Sequence, residues 1–136
     1  MMADLGKLMK VNVRVESMDK ARTVFEQVLG AEVLRDRGSD TIGDFDGAMF
    51  KVGDLVLDVM APNDPEGRLA RNIKERGEGL DSLCFRVDSL AAVQQRLSES
   101  GISLINVREF HGNRIGFIHP RDCCGILIEL IEPASP

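Results

Sequence analysis

Val13-Arg14-Val15-Glu16-Ser17 returns 72 positions later as Phe85-Arg86-Val87-Asp88-Ser89. The stretch GDLVLDVMAP, from Gly53 to Pro62, returns as GILIELIEP, from Gly125 to Pro133, so that Asp58 answers to Glu129. A chain of 136 residues is the size of one compact domain, so the two copies are expected to be half-domains. Units of this kind bury their apolar faces against a neighbour, and the join is expected to enclose a ligand cavity.

Each copy reads as βαβββ. Lys10 to Val15 alternates, with Val11, Val13 and Val15 on one face and Lys10, Asn12 and Arg14 on the other. Ser17 is placed to cap a helix that carries Met18, Ala21, Phe25 and Val28 at helical spacing and stops at Gly30. Short strands are predicted over Ala31–Arg35, Gly47–Val52 and Asp54–Met60, the last two joined across Gly53. The second copy gives Ser82–Val87, a helix capped by Ser89 with Leu90, Val93 and Leu97 inward, then Ser103–Val107, Arg114–His119 and Ile126–Ile131. A short polar helix is expected near Arg68–Arg76. The predicted class is α+β: two βαβββ modules, about 7–61 and 80–133, paired into an open, cavity-forming mixed sheet with the helices outside and a linker at 62–79. The loops 36–46 and 109–113 are expected to shape the ligand site.

Composition excludes several partners. With 22 acidic and 17 basic residues the chain carries a net −5, opposite to what phosphate backbones or anionic membranes attract. It has no Trp or Tyr to stack nucleobases and no apolar run near 18 residues. The N-terminal MMADLGKLMK lacks the apolar stretch of a secretory signal, and Cys84, Cys123 and Cys124 have no metal-type spacing. A cytoplasmic protein with reduced thiols, no nucleic-acid partner and no membrane is expected.

If the valines and leucines of each strand cover its own helix, period-two alternation turns Lys10, Asn12, Arg14, Asp58, Met60, Ser82, Cys84, Arg86 and Glu129 toward the cavity. Buried carboxylates at 58 and 129 need partners. Lys10 is the nearest cation by position, and Lys10, Asp58, Ser82 and Glu129 are expected to cluster.

The segments VRVESMDKARTVFEQVLGAEV (Val13–Val33), ERGEGLDSLCFRV (Glu75–Val87) and RIGFIHPRDCCGILIEL (Arg114–Leu130) resemble the vicinal oxygen chelate superfamily, and within it the methylmalonyl-CoA epimerases. The resemblance covers almost the whole chain and implies the same paired βαβββ fold. It also implies four inward metal-ligand positions, which fall on Lys10, Asp58, Ser82 and Glu129 where the family carries His, Glu or Gln, His and Glu. Both imidazoles are absent, and a protonated lysine cannot ligate. A proton-transfer base from the second and third strands is also implied, and this chain offers Asp40, Asp44 and Asp46 there.

These readings lead to an isomerase, epimerase or lyase that moves a proton beside a carbonyl of a small carbonyl or acyl ligand, without a cofactor. Lys10 would polarise the carbonyl or donate the proton, and Asp58 and Glu129 would be the bases. Arg14, Arg86, Asn12, Met60, Ser82, Cys84 and His111 are the candidate ligand contacts. Two alternatives are a non-catalytic binding or resistance protein, and a divalent metal held by Asp58, Glu129 and a histidine from the His111 loop. A homodimer is expected, as the family resemblance implies.

Overall fold

Among the described residues, eight strands and three α-helices arise in the order the duplication predicts, and the architecture is mixed α+β. The computed structural model describes residues 6–40 and 44–134; the side chains of residues 37–40 lie outside that description, as does residue 41–43 of the expected loop. Residues 1–5, on which the reading of the N-terminus rested, lie outside it as well. Among the described residues no helix is long and apolar enough to cross a membrane.

Contacts divide the chain into two compact units, one of Lys10–Asp81 and the other of Ser82 onward with the chain leading to Met9. In the first, β1 (Lys7–Arg14), β2 (Glu32–Asp40), β3 (Phe45–Val52) and β4 (Leu55–Pro62) form the order β2-β3-β4-β1, with β1 parallel to β4 and the other pairs antiparallel. Helix α1 (Met18–Leu29) is capped by Ser17, whose Oγ accepts from Lys20 N. It ends where Gly30 turns left-handed at φ 62 and the amides of Gly30 and Ala31 return to the carbonyls of Glu26 and Phe25. The helix packs on the face carrying Val11, Val13, Leu57 and Val59, with the Phe25 and Phe50 rings edge to face at 5.6 Å. Val28 departs from the expected inward stripe: it is 72% exposed, and Ala21 is the buried residue of this helix.

The polar helix expected in the linker is α2 (Arg68–Arg76), and it packs on β4 with Leu69 and Ile73 buried.

The second unit repeats the plan with β5 (Gly79–Arg86), α3 (Leu90–Ser98), β6 (Ile105–Phe110), β7 (Asn113–Ile118) and β8 (Ile128–Glu132) in the order β5-β8-β7-β6. Leu90, Val93 and Leu97 pack as predicted against Val87, Ile118, Ile128 and Leu130. The start of α3 is held twice, by Ser89 Oγ accepting from Ala92 N and by Glu132 Oε1 accepting from Leu90 N at 2.8 Å. Gln94 fixes the chain after α3, its amide donating to Ile102 O and its oxygen accepting from Leu104 N.

The expected loops are largely strand. β2 runs on to Asp40 and β6 to Phe110, leaving only the tight turn at His111 and Gly112 between β6 and β7. Both are outer strands, whose charged side chains (Arg35, Asp36, Arg108, Glu109) face water and hide the strand pattern.

Candidate functional site

Register makes the duplication three-dimensional. In the first unit Asn12 pairs with Asp58 and Arg14 with Met60; in the second Cys84 pairs with Glu129 and Arg86 with Ile131. Asp58 and Glu129 therefore occupy equivalent places, as the sequence offset requires.

In the first unit the face away from α1 carries a buried charge. Lys10 Nζ donates to Asp58 Oδ2 at 2.5 Å, with the two side chains 12% and 3% exposed. Asn12, also buried, lies beside Asp58 on β1. The expected pairing of Lys10 with Asp58 is thus present. A hydrogen bond between an ammonium and a carboxylate is stronger than one between neutral groups, and enclosure from water strengthens it further. Continuing across the strands, Met49 on β3 and Arg35 on β2 stand in register with Asp58. Sequence reading passed over these two, although the two-residue turn at Gly53 and Asp54 fixes Val52 opposite Leu55 and hence Met49 opposite Asp58.

Arg14 is engaged by its own chain. Its Nε donates to Gly77 O at 2.9 Å and its Nη1 to Leu80 O at 2.6 Å, with Asp81 Oδ1 at 3.4 Å. The guanidinium expected as a ligand contact holds the segment that follows α2. Met60, half-buried, sits beside it in register. Asp44 and Asp46, the described residues among the carboxylates offered as a base, border Asn63: its amide donates to Asp44 O, and its side chain lies 3.4 Å from Asp46 Oδ1. The Asp40 side chain lies outside the described residues.

In the second unit Glu129 is half-buried and stands between Cys84 on β5 and Phe117 on β7. Cys84 is fully enclosed with Ile115 and Ile131, and Phe110 and Phe117 pack on that group. Ser82 is buried. Arg86 is exposed, and its side chain makes no hydrogen bond or ion pair among the described residues. His111 is exposed at φ 51 in the β6–β7 turn, with its ring 4.3 Å from that of Phe110. His119 stabilises a turn, its Nδ1 accepting from Arg121 N at 3.0 Å.

At the first two ligand positions implied by the sequence resemblance, the Lys10 side chain donates into the Asp58 carboxylate, and at the third Ser82 offers a hydroxyl. Among the described residues no three His, Cys, Asp or Glu side chains gather to hold an ion.

Known proteins share this arrangement of strands. The mitochondrial methylmalonyl-CoA epimerase of Bos taurus is 29% identical over 136 aligned residues, covering 93% of this chain and 74% of the bovine protein. The crystal structure of methylmalonyl-CoA epimerase from Mycobacterium tuberculosis superposes with a TM-score of 0.81 at 32% identity, over 94% of this chain and 88% of that one. The hypothetical protein BH1468 from Bacillus halodurans C-125 gives 0.85 at 25% identity, over 96% of each chain. Residues 9–117 match a family model that spans the first module, the linker and most of the second, and on that match the chain belongs to the Glyoxalase/Bleomycin resistance protein/Dioxygenase superfamily.

Proposed function

We propose that this chain is an epimerase that moves the proton on the carbon beside a thioester carbonyl of an acyl-CoA, with the Lys10 ammonium in the role a divalent metal plays elsewhere in the superfamily. The observation that carries the reading is the Lys10–Asp58 ion pair, a cation held on a sheet face at two of the family's ligand positions. Its support from relatives is that proteins named methylmalonyl-CoA epimerase align with nearly the whole chain.

In this mechanism the Asp58 carboxylate takes the proton from the carbon next to the carbonyl. The electron pair left behind moves onto the carbonyl oxygen, where the ammonium balances the developing charge. Asp58 fixes the direction of the Lys10 side chain. The enolate then turns within the site and the same carboxylate returns the proton to its other face, which gives the epimer with no atom gained or lost.

The test is deuterium uptake at the α carbon of methylmalonyl-CoA in heavy water, using protein purified without a tag and treated with chelator. Uptake is expected to continue after chelation at the rate of untreated protein. Uptake that stops and returns only on adding a divalent metal overturns the metal-free site, and bound ligand that never exchanges replaces the enzyme with a binding protein.

The reading includes a homodimer. It is supported by apolar side chains left exposed on α1 and β2, among them Val28, Leu29 and Leu34. Sedimentation is expected to give twice the chain mass, and a monomer across the micromolar range removes this part of the proposal.

A further inference from the structure

Helix α2 concentrates positive charge in an acidic protein. Its nine residues, RLARNIKER, carry four basic side chains and one acid, while the whole chain carries net −5. Leu69 and Ile73 are buried, which turns Arg68, Arg71 and Lys74 to solvent, three residues apart along one side of the helix. None of the three side chains makes a hydrogen bond or ion pair among the described residues. Like charges at this spacing repel, so the stripe costs helix stability unless an anion meets it.

Its place in the first unit is defined by Arg14. The carbonyl of Gly77, the residue that ends α2, accepts from Arg14 Nε, and α2 packs on β4, the strand of Asp58. Arg14 and Lys10 lie on one face of β1, four residues or about 13 Å apart. The end of α2 is thus one short reach from the Lys10–Asp58 pair, a separation that the pantetheine arm of coenzyme A spans.

We propose that Arg68, Arg71 and Lys74 form the binding site for the phosphate groups of an acyl-CoA ligand whose thioester extends to Lys10. This rests on the acyl-CoA reading above and supplies what the composition alone did not offer, a cationic surface for the nucleotide end.

Titration calorimetry with free coenzyme A, which has no acyl group, separates the two proposals. The wild type is expected to bind it with an affinity that falls as salt rises. R71E/K74E is expected to bind about tenfold more weakly and to raise KM by about the same factor with kcat unchanged, about 1.4 kcal/mol of lost attraction. Both side chains are exposed, and a circular dichroism spectrum matching the wild type confirms the fold. The neutral R68Q/R71Q/K74Q variant is expected to shift in the same direction.

Wild type that binds no coenzyme A, or variants with unchanged affinity and KM, overturn the phosphate site. Stripe-dependent binding without α-proton exchange leaves the site standing and removes the epimerase. Exchange with a KM indifferent to charge reversal does the opposite.

Discussion

K10M is expected to lose at least about a hundredfold in α-proton exchange and to be less stable by up to about 3–5 kcal/mol. The two losses have different origins. Methionine fills the volume of the lysine stem but leaves the nearly enclosed Asp58 carboxylate without the ammonium it faces at 2.5 Å, and an enclosed charge deprived of its counter-charge is costly. The double variant K10M/D58L removes both charges and is expected to regain most of the lost stability, because a well-packed apolar pair often equals a buried ion pair. Its exchange rate is expected to stay low. Urea unfolding and deuterium uptake on the same samples report the two quantities separately. A stable double variant that still exchanges at the wild-type rate would reduce the pair to a structural contact.

R14M is expected to unfold about 3–5 kcal/mol more easily, with KM for the acyl-CoA unaltered in the folded fraction. The guanidinium satisfies two backbone carbonyls, Gly77 O and Leu80 O, and approaches Asp81. Removing it strands acceptors around a side chain only 10% exposed, each at about 1–3 kcal/mol. R14K is expected to recover only part of the loss, since an ammonium cannot present the fork that reaches carbonyls three residues apart. A lower urea midpoint together with constant KM is the expected pair of results. A raised KM at unchanged stability would return Arg14 to the ligand contacts, where its strand position alone had put it.

The architecture was largely legible because it is written locally. Ser17, Gly30 and Ser89 mark helix ends through short-range chemistry, and the helix over Arg68–Arg76 follows from Leu69 and Ile73 at a four-residue interval. Alternation also put Lys10 and Asp58 on one face, and parallel pairing of β1 with β4 brought them together. What escaped depends on distant partners. Nothing near Arg14 in sequence announces Gly77 or Leu80, and charged outer strands such as Ile105–Phe110 resemble loops because one face and one edge of them meet water. The cations of α2 were visible as letters, but their shared side and lack of partners emerge only once Leu69 and Ile73 are known to be buried.

Duplicated residues have parted ways. Arg14 is walled in by carbonyls it must serve, whereas its twin Arg86 stands in water with no internal obligation. Descendants of this chain, natural or engineered, are therefore free to diversify at 86 and tune what that strand end greets, while drift at 14 is purged by misfolding before any new chemistry can be sampled.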